Sequence, residues 1–576
     1  MKMNSSASFN RKMRYGGVSL GLTALIIAAV IIVNVIFGVL TQHFMWYTDL
    51  TPPLKFTLSD ACIELLRDGD DDLEDSESPI DMIERFREEN KQYNAANGLK
   101  KGDADWRDEE LTLNIIFCDE PDVWKGNLMQ RYVCHTAQEL ADEFRGYVNI
   151  EYIDTVRNPS AVSKYKENSL SVISDTTVIV ECGTEFRTRD VRGFYTYESA
   201  TTSTPWAYSG EKAFAADILA VTRTESPVAC IETGHGVSFN DQEVVQTLVD
   251  AGYELSELHL NTDEIPDDCR LIVIMNPKMD FTTGDDGVSD VDEIGKLEAA
   301  LERGVSLMVF MSPDNPVLEN FEEFLEEWGI VFDRYVDKDD PTGAAYSYMI
   351  EDKTQGLSTD GYAFVADYAK DNKHTSILRD LTSRPSAPAI VFKNAMSISY
   401  ADSFEPAVSR TNEDDPATEY KYAYKTDDGI TTSIYDLFVA SDGAVAYANG
   451  TEQARSTAAE PLKLMTVSSR TVITSESYQT SVSDHTYIFA CGSTDFANSA
   501  VLQNNAYGNN DALLSIFRTV GKELAPVGLN PKAFSDTTID VITNSEATQY
   551  TVVLTVIPAV AALVCGVVVL VRRKYR

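Results

Sequence analysis

Two long uncharged apolar runs, one near each end, constrain this 576-residue chain more than any other feature. Gly16 to Leu40 spans 25 residues without a charge, and Tyr550 to Val571 spans 22. At about 1.5 Å rise per residue, roughly 20 helical residues cross a bilayer core of about 30 Å, so either run is long enough. The competing reading of the first run is a cleaved signal peptide, with an apolar region of about 7–15 residues and a small-residue cleavage site. The run instead leaves through Thr41-Gln42-His43-Phe44-Met45-Trp46-Tyr47, whose aromatic residues suit a membrane interface.

Charge is partitioned around these runs. No acidic residue precedes Asp49 or follows Glu546, whereas Lys2, Arg11, Lys12 and Arg14 lie before the first run and Arg572, Arg573, Lys574 and Arg576 after the second. The chain carries 90 acidic and 48 basic residues, a net −42. Without the eight terminal cations the middle alone carries −50. Lys and Arg stay on the cytoplasmic side, so both ends are expected in the cytoplasm and residues from about 42 to 548 outside. The expectation is a two-pass protein of the cell (plasma) membrane: a basic tail 1–15, a transmembrane helix 16–40, a large extracytoplasmic body, a second helix 550–571 and a tail 572–576. So acidic a surface repels phosphate backbones, which excludes a nucleic-acid partner. An apolar fraction of 44% excludes wholesale disorder.

The body reads as α/β, in two modules. The first, 57–200, opens on a short helix that Ser59 can cap, since its hydroxyl can accept from first-turn amides. An acidic stretch, 68–110, follows and is expected to be a solvated insertion. Asp68, Asp70 and Asp72 alternate as in a calcium loop, but Leu73 stands where the glycine belongs and Pro79 where the final glutamate belongs. Strands are then predicted in 111–119, 148–154 and 176–183, with a helix over 136–147. The second module, 209–535, alternates short apolar strands with helices of 10–15 residues. That pattern predicts right-handed crossovers and a doubly wound, mostly parallel sheet. Its helices are expected over 241–251, with Ser238 and Asp241 at capping-box spacing, and over 288–302, 317–328 and 511–520, the last capped by Asp511. Residues from about 335 to 480 are less regular and read as a long β-rich insertion. The cysteines lie singly in strand-like runs, without paired Cys or Cys/His spacing, so buried free thiols are expected and no metal.

The loop best placed for chemistry is Glu232-Thr233-Gly234-His235-Gly236, which leaves a strand end and leads to a helix. Ligands of open α/β sheets bind at such ends. His235 could act as a general base, although a loop histidine is more often structural. Glu232 would oppose a phosphate. Asp495, in Gly492-Ser493-Thr494-Asp495-Phe496, follows another strand and could reach the same edge, or simply cap the next turn. Glu232, His235 and Asp495 are therefore the candidate ligand-binding residues. Ser312, between Met311 and Pro313, lacks the glycines of a nucleophile elbow, and no catalytic residue is assigned.

In order and spacing, several short motifs resemble the auxiliary proteins of gliding-motility-type ABC transport systems, the GldG-like family. They are Leu58-Ser59 after the anchor, YIDTVRNPS at 152–160, SGEKAFAADIL at 209–219, ETGHG at 232–236, GSTDFANS at 492–499 and NNDALLSIF at 509–517. The acidic 68–110 stretch and much of 335–480 depart from the pattern. The resemblance implies a flavodoxin/amidotransferase-like second module without the catalytic cysteine, no cofactor, and a non-catalytic auxiliary subunit. Its expected partners are a separate ABC ATPase and a multi-span permease, and a homo-oligomer is compatible with it. No P-loop occurs in the chain, so ATP hydrolysis would fall to that ATPase. The alternatives are an amidotransferase-like or hydrolase-like ectoenzyme and, third, a ligand-binding surface receptor.

Overall fold

The computed structural model describes residues 57–69, 77–166, 173–197, 204–223, 226–236, 242–284, 290–336, 344–369, 376–384, 386–411, 419–427, 430–477, 480–504 and 506–534. Both predicted spans, 16–40 and 550–571, their basic tails, and the Ser238–Asp241 cap lie outside these residues. Among the described residues no helix is long and apolar enough to cross a membrane.

The first sheet grows from three apolar segments. Leu113–Phe117 pairs in parallel with Val148–Tyr152 on one side and antiparallel with Thr177–Cys182 on the other. A fourth strand, Glu185–Asp190, turns back over Gly183, whose φ of +65° is the left-handed conformation such a turn needs. That strand is absent from the sequence reading because its residues, EFRTRD, carry no buried apolar face.

Ser59 caps Asp60–Arg67 as expected, its side chain accepting from the Cys62 amide. The acidic stretch departs from the loop expectation: Pro79–Asn97 is a 19-residue helix. Ser78 accepts from the Asp81 amide at its start, Pro79 sits where no amide is needed, and Gly98 closes it with φ +63°. Met82 and Ile83 are buried, and Arg87 donates to the carbonyls of Leu111 and Gly146, so charge on the outer face does not undo the inner one. Ser78→Ala is expected to cost about 1 kcal/mol, the usual worth of such a cap, in urea unfolding of the full chain. An unchanged midpoint would show that the helix is held by tertiary contacts alone.

The second sheet has a parallel heart. Val228–Glu232 lies between Glu254–Leu258 and Cys269–Met275, followed by Ser306–Phe310 and then Thr480–Cys491, each neighbouring pair parallel. In chain order these five strands are arranged 2-1-3-4-5. Alternate residues split between two cores: Leu271, Val273, Met308 and Phe310 pack on one face against Val244 and Leu248 of helix Gln242–Asp250. Ile272, Ile274, Leu307 and Val309 pack on the other against Leu297 and Ala300 of helix Glu293–Glu302. The period of two along each strand thus feeds helices on both faces.

Beyond Thr480–Cys491 the sheet turns antiparallel, through Lys463–Ser477, Ile430–Val439, Ala363–Tyr368 and Ile390–Lys393. The irregular segment after residue 335 therefore supplies strands that extend the same sheet, and the sheet as a whole is mixed. Thr480–Cys491 starts earlier than the apolar run 486–491 because its first half pairs only with the hairpin partner.

Helix Gly210–Thr222 is buried on almost every side and touches strands and helices of the first module and helix Gln242–Asp250 of the second. Its apolar residues follow no single stripe, as befits a helix without a solvent face. Its charged residues are each paired: Asp217 receives two hydrogen bonds from Arg189 at 2.9 and 2.7 Å, Lys212 meets Asp250 at 3.4 Å, and Glu211 meets Lys532 at 2.7 Å.

Candidate functional site

The loop 232–236 leaves the carboxyl end of the Val228 strand, beside the strand Cys269–Met275. The connections run in opposite directions from this pair of strands, which makes it the switch point where open α/β sheets bind ligands. Glu232 is fully buried. Its Oε1 accepts from the Gly234 amide at 2.6 Å and lies 2.9 Å from Nδ1 of His235. Nε2 of the same ring lies 3.2 Å from Oε2 of Glu293, a residue the sequence reading did not single out. Glu293 stands in the first turn of its helix, just after the cap Asp292, and its Oε2 also accepts from the Thr282 amide at 2.9 Å and hydroxyl at 3.0 Å. The imidazole stacks on Phe281, ring centres 3.8 Å apart and planes 16° from parallel.

Burial alone pushes the His235 pKa down, but the two carboxylates, Glu232 foremost, outweigh it and raise it above the ordinary value. An imidazolium donating from both nitrogens fits the geometry. Such a ring has no nitrogen left to take a proton, and it clamps the loop onto Phe281 and Glu293. Glu232 Oε2 and Glu293 Oε1 are buried without a hydrogen-bond partner among the described residues.

Asp495 is not part of this cluster. It follows Cys491, three strands along from Val228–Glu232, about 14 Å at the usual strand spacing. Its carboxylate accepts from Asn394 Nδ2 at 2.8 Å, and the short turn Thr494–Ala497 that holds it has no side-chain cap. Ser312 donates to Asn276 Oδ1 at 3.0 Å and to Asn315 Oδ1 at 3.1 Å, with no imidazole in its bonds. Asp511 does not cap the last helix, Asn509–Gly521, which begins after Gly508. Asp511 pairs with Arg384 at 2.9 Å instead. The seven described cysteines are free and buried. Among the described residues no group of three His, Cys, Asp or Glu side chains could hold a metal ion.

A large cleft lies elsewhere, with a volume of about 880 Å³, between the first module and the helices of the second. Glu232, His235 and Asp495 do not line it. Its walls come from 189–197, the start of helix Gly210–Thr222, helix Gln242–Asp250, the 498–510 segment and Asn530-Pro531. Three stretches singled out in the sequence (209–219, 492–499 and 509–517) therefore contribute to one cavity through Ser209, Asn498 and Asn510. The asparagines of the 498–510 segment could not be read as a cavity wall from the sequence, because the residues facing them lie some 250–300 positions away.

No protein-family model matches this chain, and no curated protein sequence matches it. Three solved chains do, among them one described as "mmIFT52 N-terminal domain". It is 11% identical to this chain and covers 51% of it and 96% of its own length, with a TM-score of 0.29.

Proposed function

We propose that this chain is a non-catalytic, membrane-anchored auxiliary subunit of an ABC-type transport system. Its two anchors, 16–40 and 550–571, sit beside a multi-span permease, a separate ATPase drives transport, and the acidic body engages substrate or envelope partners outside the plasma membrane. The observation that carries the non-catalytic reading is the state of His235: both ring nitrogens are committed to buried carboxylates. An amidotransferase-like or hydrolase-like ectoenzyme would need that ring free beside a nucleophile. The 2-1-3-4-5 order of parallel strands supports a flavodoxin/amidotransferase-like second module. The motifs shared with GldG-like proteins support the transport partnership. Affinity purification of the tagged full chain from native membranes in mild detergent is expected to bring down an ATPase and a permease. Recovery of the chain alone, with both candidates expressed, would overturn the partnership.

A further inference from the structure

We infer that the cleft between the modules binds a neutral, hydroxyl-rich saccharide chain. The inference rests on reading the body as a binding module and does not depend on the transporter partnership. Its first support is a repeated asymmetry in the asparagines of one wall. Asn498 Oδ1 accepts from the Ala500 amide at 2.9 Å, Asn504 Oδ1 from the Ala506 amide at 3.0 Å, and Asn510 Oδ1 from the Thr247 hydroxyl at 2.9 Å. Backbone N–H groups can only donate, so the first two fix which end of the carboxamide is oxygen. In all three the Nδ2 group makes no hydrogen bond to the described residues, while the side chain lines the cleft. Three asparagines of one wall, each held by its own oxygen, thus keep an amide donor that the described residues do not use, which suits a ligand rich in oxygen acceptors.

Charge selects among such ligands. Two of the cleft's cations are paired within the protein, Arg189 with Asp217 and Lys212 with Asp250, and Arg192 stacks over the Tyr197 ring at 3.9 Å. With Arg189 and Lys212 paired, Asp190 in the lining beside Arg192, and a net −42 on the chain, a phosphate or carboxylate would enter against the field. Shape and polarity select further. Aliphatic lining is limited to Ala213, Ala500, Leu502 and Pro531, too little for the side-chain pockets that give a bound peptide its affinity. The hydroxyls of Thr196 and Ser209, 2.7 Å apart and bonded to each other, and the half-buried Tyr507 ring add polar atoms and an aromatic ring to the lining. The volume falls within the range of small-molecule sites and accommodates a short oligosaccharide.

The test uses the purified full chain in a non-glycosidic detergent, because maltoside or glucoside head groups would compete. Isothermal titration is run with neutral hexasaccharides (cello-, malto- and chitohexaose), with hexaglycine and with inorganic phosphate. Saturable binding of at least one saccharide is expected, without binding of hexaglycine or phosphate. The paired variant Asn504→Asp/Asn510→Asp keeps each Oδ1 and replaces the N–H donors by acceptors. It is expected to weaken saccharide binding about tenfold or more, with the thermal midpoint unchanged. Binding of phosphate or hexaglycine instead, no saturable binding of any saccharide, or equal saccharide affinity in the variant would each overturn the inference. A failed co-purification with the ATPase would leave it standing, and its own failure would leave the transport reading standing.

Discussion

His235→Ala is expected to lower the unfolding free energy by about 3–5 kcal/mol, the cost of leaving buried charges without their partner. Here both partners are stranded together. Glu232 and Glu293 are almost wholly inaccessible, and the imidazolium is the cation that each of them touches. The loss would appear as a lower urea midpoint at unchanged slope. A change below about 1 kcal/mol would mean that the ring is not charged in the native state. The pH dependence has a definite sign. The folded-state pKa of His235 is raised above the ordinary value of about 6.5, so the native state binds this proton more tightly than the unfolded chain. The contribution is full below about pH 6.5 and is lost as pH rises through the folded value. The stability gap between wild type and His235→Ala should therefore narrow on the alkaline side. The groups facing the ring are Glu232 and Glu293, with neutral Phe281 and Thr282, and Lys278 packs beside Gly236.

Gly492→Ala is expected to be at least as damaging, above about 4 kcal/mol, and to yield little folded protein. A Cβ at this position would lie 2.1 Å from the Met396 carbonyl oxygen and 3.4 Å from that of Leu464. Neither can retreat. The Gly492 amide donates to the Leu464 carbonyl at 2.9 Å, and its carbonyl accepts from the Met396 amide at 2.7 Å, so both crowding residues are hydrogen-bonded to Gly492 itself and hold three segments together. Gly443→Ala is the control. Gly443 has φ +89° and open space around it, so only the backbone preference is lost, about 1–2 kcal/mol. Comparable soluble yields and melting points for the two variants would contradict the steric argument.

What could be read along the chain was whatever depends on near neighbours. Ser59 caps its helix because the amide it serves is three residues away. The inner parallel strands of the second module were visible because they are apolar on both faces, and the crossover helices because their apolar residues recur at helical spacing. The first-module strand Glu185–Asp190 and the helix Pro79–Asn97 were missed for one reason. Each has a polar outer face, and what holds it is a partner elsewhere: Thr177–Cys182 for the strand, and Leu111 and Gly146 for Arg87 of the helix.

The candidate site divides in the same way. Glu232 and His235 are three residues apart on one tight loop, and their contact needed only that the loop turn back on itself. Glu293 reaches the same ring across 58 residues, because the third strand lies beside the first and its crossover helix begins there. Asp495 leaves an equally well-formed strand end, yet the lateral strand order carries it three positions away. Hydrophobic period and capping fix which segments are strands and helices, since both act over a few residues. Strand order is set by burying two faces of one sheet at once, and it alone decided that His235 is clamped between carboxylates and that the open cavity lies between the modules.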